Sequence, residues 1–437
     1  MRLTIHRGTH EIGGSCVELA TAKTRIVIDV GMPLVDSAGE PFDSKVLRGK
    51  TVQELLDLKI LPHVPGLFDD TAPPPDAILL SHAHLDHSGL LQFARPTIPV
   101  YLSKGTSKML MAGSIFAAQP GLERDRGRIF ETETPFRIGD VQVTANPVDH
   151  SAFDSMAFLI EAEGKTILYS GDLRLHGRKP GMARRLIASV EGRSIDVLLM
   201  EGTHFGANRE RGVTEQELEE VIIGHVKAAP GIVLAMFSPM NVDRLVTFYR
   251  AALRSGRTFV VDPYTAFVMH LVSGQCKIPR PTAAAGIRVL YNRYFERSHQ
   301  RRNLAKIHDL FLADRISHED LLASAEKCLM VFRPSMTEPD FAGELPQAAT
   351  CLYSYWEGYL DKPDWTELKR HVEKVAGTFT VCHTSGHIFV DDIISFVGAI
   401  KPRVVIPMHT FEPGRFRDHF PNTLVLDDGV PVDLSAI

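Results

Sequence analysis

Cysteine, long apolar runs and an excess of basic charge are all scarce in this sequence of 437 residues. The five cysteines form no C-x-x-C pair and no regular framework, which argues against a disulfide-built fold and favours reduced thiols in a cytoplasmic protein. No apolar run is long enough to cross a bilayer, and residues 1–5 predict a strand rather than a signal peptide. We therefore expect a cytoplasmic protein with no membrane partner.

The charge balance gives no global attraction for polyanions. The net charge is −5 at pH 7, so any contact with nucleic acid must depend on local basic patches. The sequence also contains no internal repeat and no low-complexity tract. Its hydrophobic content of 44% is sufficient, over this length, for a sizeable core and two domains.

The pattern of predicted elements changes along the chain. The first two hundred residues are rich in strands and include a hairpin that turns at Gly164. From about Gly206 helices and strands alternate, as in a parallel sheet, and Thr214 and Glu217 are spaced as a capping box. The strand-rich pattern returns after about Val375. These changes predict an α/β protein with a second domain inserted into the first.

A histidine-rich loop follows the apolar run 77–80, which predicts a buried strand. Residues two apart in an extended segment project to the same side, so His82 and His84 can bind one cation together. If the chain turns directly after them, Asp86 and His87 can face a second cation. Zinc prefers imidazole nitrogen and carboxylate oxygen, and a mixed nitrogen–oxygen site also accepts manganese. The alternative is a surface loop that is merely rich in histidine.

Further candidate ligands lie at the ends of other predicted strands, where an open sheet displays its functional groups. A lone histidine such as His150 is more often a hydrogen-bonded structural residue, but seven such positions are hard to explain in that way. They are sufficient for two metal ions, which can clamp an in-line displacement at phosphorus. Asp172 can bridge the two ions because a carboxylate has two oxygens. The candidates are His82, His84, Asp86, His87, His150, Asp172 and His409.

These motifs resemble those of a known superfamily. The run from His82 to His87 matches the H-x-H-x-D-H signature of the metallo-β-lactamase superfamily. Asp29, His150 and Asp172 occur in the order of the other motifs of that superfamily. The resemblance covers nearly the whole chain.

The inserted region carries the resemblance further. With Glu201 before it and His387 and His409 after it, this region is similar to that of the β-CASP branch, whose members process nucleic acids. The segments that resemble the motifs of ribonuclease J are 149–155, 170–172, 384–387 and 407–409.

The resemblance implies both a fold and a reaction. The implied α/β fold is a metallo-β-lactamase αββα sandwich, residues 1–205 and 376–437, with an inserted β-CASP-like α/β domain, residues 206–375. The implied protein is a two-metal-dependent ribonuclease, a phosphodiesterase that hydrolyses single-stranded RNA endonucleolytically, from the 5′ end, or in both ways. The implied cofactors are two Zn²⁺ ions per chain, with Mn²⁺ as the alternative.

The resemblance also implies a role for each site residue. His82, His84 and His150 would bind one metal ion, Asp86, His87 and His409 would bind the other, and Asp172 would bridge them. Asp29 would orient the histidine loop without binding metal. His387 would be the general acid on the leaving oxygen, oriented by Glu201, and Asp86 would join these two as a catalytic residue. The residues that would contact the substrate are Ser238, Asn241, Arg244, Ser385 and Gly386.

Alternatives exist for the role of His387 and for the substrate. A histidine at the start of a helix can instead bind the backbone. A histidine at position 409 resembles the RNA-processing members of the branch, whereas DNA-repair members have an apolar residue there, so RNA is favoured over DNA. A hydrolase acting on a small ester or thioester is a second alternative, and a non-catalytic nucleic-acid-binding protein is a third.

The sequence departs from ribonuclease J in two places. Thr410 and Phe411 follow His409, where that family usually has glycine and glutamate. The family usually continues into a C-terminal domain that supports oligomerisation, whereas this sequence ends at Ile437. These departures bear on end recognition and on assembly, for which a homodimer is one candidate state.

One local segment, residues 277–306, is basic. Its arginines are interleaved with Tyr291, Tyr294 and Phe295, which suits neutralisation of a nucleic-acid backbone and base stacking in single strands. A solvated helix face is the alternative. The arginines are Arg280, Arg288, Arg293, Arg297, Arg301 and Arg302.

Overall fold

The structure, a computed structural model, describes residues 1–36, 39–206 and 211–437. The chain divides into two compact units. Unit 1 comprises Met1–Arg211 and Gly386–Ile437, and unit 2 comprises Gly212–Ser385. None of the helices in the described residues is long and apolar enough to cross a membrane.

The elements follow one another along both units. The strands are β1 (Arg2–Arg7), β2 (Cys16–Ala20), β3 (Arg25–Ile28), β4 (Ala77–Leu80), β5 (Val100–Leu102), β6 (Gly127–Ile129), β7 (Phe136–Ile138), β8 (Val141–Pro147), β9 (Met156–Ala162), β10 (Lys165–Tyr169), β11 (Val197–Glu201), β12 (Val233–Met236), β13 (Thr258–Val261), β14 (Ile287–Leu290), β15 (Arg315–Ile316), β16 (Cys328–Val331), β17 (Thr350–Tyr353), β18 (Thr378–Val381), β19 (Val404–Met408) and β20 (Pro431–Asp433). The α-helices are α1 (Val52–Asp57), α2 (Leu85–Ser88), α3 (Lys104–Phe116), α4 (Gly181–Val190), α5 (Glu215–Ala228), α6 (Val242–Arg254), α7 (Pro263–Val272), α8 (Arg293–Ser298), α9 (Ala305–Leu310), α10 (His318–Ala323), α11 (Thr337–Phe341), α12 (Pro363–Lys374) and α13 (Val390–Ile400).

Unit 1 contains two sheets that share one core. Their strand orders are β20-β1-β2-β3-β4-β5-β6 and β19-β11-β10-β9-β8-β7. Alternate residues of each strand, such as Leu3 and Ile5, and Val197 and Leu199, point into this shared core. The next residue, Leu198, faces the other way and packs with residues of α4 and α13. The α/β class and the sandwich predicted from the sequence are confirmed.

Unit 2 is built on one parallel sheet with the strand order β15-β14-β13-β16-β12-β17-β18. Its central strand β16 is buried along its whole length, as expected where helices cover both faces of a parallel sheet. The predicted capping box is present, since Thr214 accepts from the backbone of Glu217 and the Glu217 side chain accepts in return.

The last strand of unit 2 corrects the predicted domain boundary. The expected boundary at residue 376 placed Thr378–Val381 in the first domain. In the structure this strand, β18, pairs in parallel with β17, with Thr378 opposite Thr350. The reason is the helix α12 between the two strands, which makes a β–α–β crossover and so keeps β18 in the same sheet.

The parallel pairing in unit 1 places its polar strand ends together. Strands β3 and β4 run in parallel, as do β10, β11 and β19. Carboxyl ends of parallel strands lie at the same edge of a sheet, which is where functional groups can gather. The residues at or just beyond these ends are Asp29 after β3, His82 after β4, Asp172 after β10, Glu201 in β11 and His409 after β19.

Candidate metal centre

The histidine loop is held in place by the backbone that follows β3. Val30 N–H donates to the carbonyl of His87 at 2.8 Å, and Ser15 N–H donates to the carbonyl of Asp86 at 3.1 Å. A Cβ on Gly31 would lie only 1.8 Å from the Asp86 carbonyl oxygen, so only glycine allows this approach. The loop therefore has a fixed position before any side chain is considered.

Asp29 then fixes the orientation of one ring. Its carboxylate accepts hydrogen bonds from Ser81 N–H at 2.8 Å, from the Ser81 hydroxyl at 2.7 Å and from the Tyr169 hydroxyl at 2.6 Å. The same carboxylate lies 2.8 Å from Nδ1 of His87. A carboxylate behind one ring nitrogen directs the other nitrogen, Nε2, towards the site.

Three further histidines are oriented in the same manner. Nδ1 of His82 lies 3.0 Å from the Ser81 hydroxyl, and Nδ1 of His150 lies 2.6 Å from the carbonyl oxygen of Gly386. Nδ1 of His409 lies 3.0 Å from the hydroxyl of Thr203. Each contact occupies Nδ1 and leaves Nε2 for a metal ion.

The predicted ligand atoms converge in two groups, each with its atoms within 4.8 Å of one another. Oδ2 of Asp172 is central, at 3.1 Å from Nε2 of His87, 3.8 Å from those of His82 and His150, and 3.9 Å from that of His409. The first group is His82, His84 and His150, and the second is Asp86, His87, Asp172 and His409. Two members of the second group also form a third cluster of the same size with Glu201 and His387, and these two are Asp172 and His409.

Unsatisfied atoms test whether a metal fits this arrangement. Nε2 of His82, Nε2 of His87 and Oδ2 of Asp172 are buried and form no well-aligned hydrogen bond among the described residues, although the last two atoms lie 3.1 Å apart. Such atoms are costly to bury, and three of them facing one point indicate a missing partner that accepts both nitrogen and oxygen. The set of imidazoles and carboxylates fits zinc, and also manganese.

Burial sets the protonation of the first group. It lowers the pKa of His82 and His150 well below the ordinary value, and it also lowers the pKa of His84. All three rings are therefore neutral at physiological pH, and the neutral ring is the form that binds metal.

The carboxylates and His87 behave differently. Burial opposes ionisation of Asp172, but His409 and His87 outweigh it and hold the pKa of this carboxyl well below its usual range. Burial likewise lowers the pKa of His87, but Asp172 and Asp29 outweigh it and raise that pKa well above the ordinary value. We therefore expect metal binding to release a proton from His87.

A second ion pair lies beside the ligands. Nδ1 of His387 is 3.2 Å from Oε2 of Glu201 and 3.1 Å from the Thr203 hydroxyl. Burial would lower the pKa of His387, but Glu201 and Asp172 raise it to about 9. The His387 side chain is 21% exposed, whereas that of Glu201 is 1% exposed. This arrangement keeps a protonated ring at the surface of the site.

The residues predicted to contact substrate lie in different environments. Gly386 uses its carbonyl to orient His150, and a Cβ there would lie 2.5 Å from the Ser151 hydroxyl oxygen. Asn241 caps α6 by accepting from the Arg244 backbone N–H at 3.0 Å. Ser238 and Ser385 are half-buried. A role in substrate contact stays a prediction for these four residues.

The prediction that Arg244 contacts the substrate is wrong. Its side chain has no exposed surface, and its guanidinium lies 2.9 Å from the carboxylate of Glu215, which is also fully buried. The same guanidinium donates to the Ser354 hydroxyl and, at 3.5 Å, to the Thr384 carbonyl. Arg244 thus connects separate segments of unit 2, and its charge is already neutralised.

We expect Arg244→Ala to destabilise the chain by about 3–5 kcal/mol, because it leaves the Glu215 carboxylate buried without its counter-charge. Urea unfolding would measure the change. Arg250→Ala is the matched control, since Arg250 lies on the same helix with its side chain 54% exposed, and we expect a change within about 0.5 kcal/mol. An Arg244 variant of parent stability but weaker RNA binding would restore the predicted substrate contact.

Three residues of the site were not singled out from the sequence. They are Ser81, Tyr169 and Thr203, which hold Asp29, His82, His387 and His409. Each lies within three residues of a predicted site residue. Their position in the sequence was therefore the one available signal, because serine, threonine and tyrosine are common elsewhere in the chain.

Comparisons with known proteins identify similar sequences and one similar fold. A family model described as a beta-lactamase superfamily domain matches residues 50–248. An RNase J-like protein of Methanocaldococcus jannaschii is 26% identical over 277 residues, which are 60% of this chain and 58% of that protein. A ribonuclease J of Helicobacter pylori is 30% identical over 271 residues, which are 60% of this chain and 36% of that protein. The chain thus spans about half the length, or less, of these curated relatives.

A solved structure extends the similarity of fold to the full chain. The crystal structure of a protein of unknown function from Enterococcus faecalis V583 matches with a TM-score of 0.80 and 22% sequence identity, and covers 99% of each chain. At that identity the match supports the fold alone. The family model and the curated relatives support the resemblance of this chain to the metallo-β-lactamase superfamily and to the ribonuclease J proteins of its β-CASP branch.

Proposed function

We propose that this chain is a two-metal-dependent ribonuclease that hydrolyses phosphodiester bonds in single-stranded RNA, internally, from the 5′ end, or in both ways. The observation that carries the proposal is the convergence of seven candidate ligand residues, Asp172 among them, with three of their atoms buried and without a well-aligned hydrogen bond. The ribonuclease names of the curated relatives support the choice of substrate.

The two groups of ligands would each hold one metal ion, and Asp172 would contact both. Metal ions bound there would stabilise the charge on the phosphoryl oxygens and lower the pKa of a water molecule that attacks phosphorus. Asp29, Ser81 and Thr203 keep the imidazole rings in the orientation that binding requires. The protein itself therefore contributes a preformed site.

His387 would complete the reaction by protonating the leaving oxygen. When the P–O bond breaks, the leaving alkoxide is a strong base that needs a proton. Nδ1 of His387 is occupied by Glu201 and Thr203, so the transferable proton is on Nε2. Glu201 stabilises the imidazolium, which explains why a protonated ring persists there. His387 thus has both the proton and the position of a general acid beside Asp172.

The choice of RNA over DNA depends on His409, whose Nε2 lies 3.2 Å from Oδ2 of Asp86. We expect the full chain to cleave an end-labelled single-stranded RNA with a 5′-monophosphate at least about tenfold faster than the matching DNA. A chelator should abolish cleavage, and added zinc or manganese should restore it.

The same time course distinguishes internal cleavage from removal of nucleotides at the 5′ end by the length of the labelled product. Equal or faster cleavage of DNA would contradict the choice of RNA. Cleavage that continues after exhaustive chelation would contradict the dependence on metal.

A further inference from the structure

A strongly basic segment of unit 2 has no part in the site described above. Residues 277–306 contain eight lysines and arginines and a single glutamate, in a chain whose net charge is −5. The centre of this segment is α8, which begins after Asn292 and whose helical turn continues to Arg302 through a bond from its N–H to the Ser298 carbonyl at 2.9 Å.

One face of this helix is buried. Tyr291, Phe295 and Ser298 are 1%, 3% and 1% exposed, and the Tyr291 hydroxyl donates to the carbonyl of His308. The expectation that Tyr291 and Phe295 offer exposed rings for base stacking is therefore wrong. Phe295 and Ser298 are three residues apart on the inner side of the helix, and Tyr291 is buried just before the helix begins.

The opposite face carries exposed arginines and one exposed ring. We call Arg293, Tyr294, Arg297 and Arg301 the basic face, because all four are exposed and follow one another at helical spacing. Tyr294 is 63% exposed, and the Arg302 guanidinium lies 5.8 Å from the centroid of its ring. The exposed ring and the neighbouring guanidinium groups therefore form one continuous surface.

The single carboxylate of the segment does not neutralise this face. Glu296 lies 3.1 Å from Nη1 of Arg293 and is also paired with Arg315, so its charge is shared by two arginines. Over the described parts of the chain, Arg297 and Arg301 form no ion pair. The basic face therefore presents a net positive charge to solvent.

We propose that the basic face binds single-stranded RNA, with its arginines on phosphates and with Tyr294 stacked on a base. Guanidinium groups suit phosphate because they donate several hydrogen bonds in a planar fork. A tyrosine ring accepts any base, so binding there is independent of sequence. The choice of RNA as the ligand of this surface rests on the proposed function. The surface itself belongs to unit 2, whereas every proposed metal ligand belongs to unit 1.

The test uses the full chain and a fluorescent single-stranded RNA of about 20 nucleotides, with binding followed by anisotropy in the presence of chelator. Arg297→Gln combined with Arg301→Gln should weaken binding about tenfold. It should also reduce the slope of log affinity against log salt by about 1.4, as expected for two lost phosphate contacts. Tyr294→Ala should weaken binding without changing that slope.

Two controls separate this surface from the metal centre and from net charge. Hydrolysis of bis(p-nitrophenyl) phosphate by the metal-loaded chain should be unchanged in all of these variants. Arg185→Gln combined with Arg193→Gln removes two arginines of unit 1 that are 57% and 49% exposed, and should leave RNA binding near that of the parent.

Unchanged affinity and salt slope in the Arg297 and Arg301 double variant would overturn the inference, and so would an equal loss in the control. The inference would also be overturned if the parent bound polyglutamate and the double variant lost that binding while it kept its affinity for RNA. That result would favour an acidic protein partner. A parent chain that binds the RNA through the basic face but does not cleave it would contradict the proposed function alone.

Discussion

Replacing Asp172 with alanine is expected to lower RNA hydrolysis by at least about 10⁴-fold, the largest effect that we expect from any single substitution. Oδ2 of Asp172 lies within 3.9 Å of the Nε2 atoms of His82, His87, His150 and His409. Its removal deprives both proposed metal ions of a shared ligand and leaves the surrounding rings without a counter-charge. Turnover of end-labelled RNA by the purified variant measures the loss.

Two further variants show whether the loss is specific. Asp172→Asn keeps the shape of the side chain but removes its charge, and should also be inactive. Asp196→Asn changes another buried aspartate, which precedes β11 and accepts from Thr166 N–H at 2.9 Å, and should retain activity. An Asp172→Ala variant that stays folded and retains more than about a tenth of parent turnover would contradict the bridging role.

Replacing His387 with alanine is expected to lower turnover by about 10²–10⁴-fold, with little change in metal content. The reason is the loss of the proton donor, since the ring bears the proton that Glu201 stabilises and lies outside the two groups of predicted ligands. The rate of RNA cleavage should fall by this whole factor of about 10²–10⁴. A phosphodiester with a p-nitrophenolate leaving group should lose much less, because that leaving group needs no proton.

His371→Ala is the matched control for this substitution, because His371 is a histidine of unit 2 whose side chain is 20% exposed, against 21% for His387. We expect its turnover to equal that of the parent. Equal losses on both substrates in the His387 variant would argue against protonation of the leaving group. Loss of metal in that variant would make His387 a ligand instead.

Four of the candidate ligands could be proposed from the sequence because their signal is local. His82, His84, Asp86 and His87 lie in one loop after one buried strand, and residue type alone indicates their chemistry. The hairpin at Gly164 could be predicted equally well, since its two strands and its turn are contiguous in the sequence.

Contacts between distant parts of the sequence could not be predicted in this way. The buried pair of Arg244 and Glu215 depends on tertiary packing. From the sequence alone, an arginine that follows a strand is predicted to be exposed and available to a ligand. The hydrogen bond from Tyr169 to Asp29 joins residues 140 apart. The inward face of α8 and the pairing of β18 with β17 were likewise decided by packing.

Elemental analysis of the purified full chain tests the central claim most directly. The chain should be loaded with zinc or manganese, desalted, and compared with Asp172→Ala treated in the same way. The account predicts about two metal ions per parent chain and fewer than one per variant chain, with the proton release that metal binding to His87 entails. A parent chain that retains no metal, or a variant that retains as much metal as the parent, would contradict it.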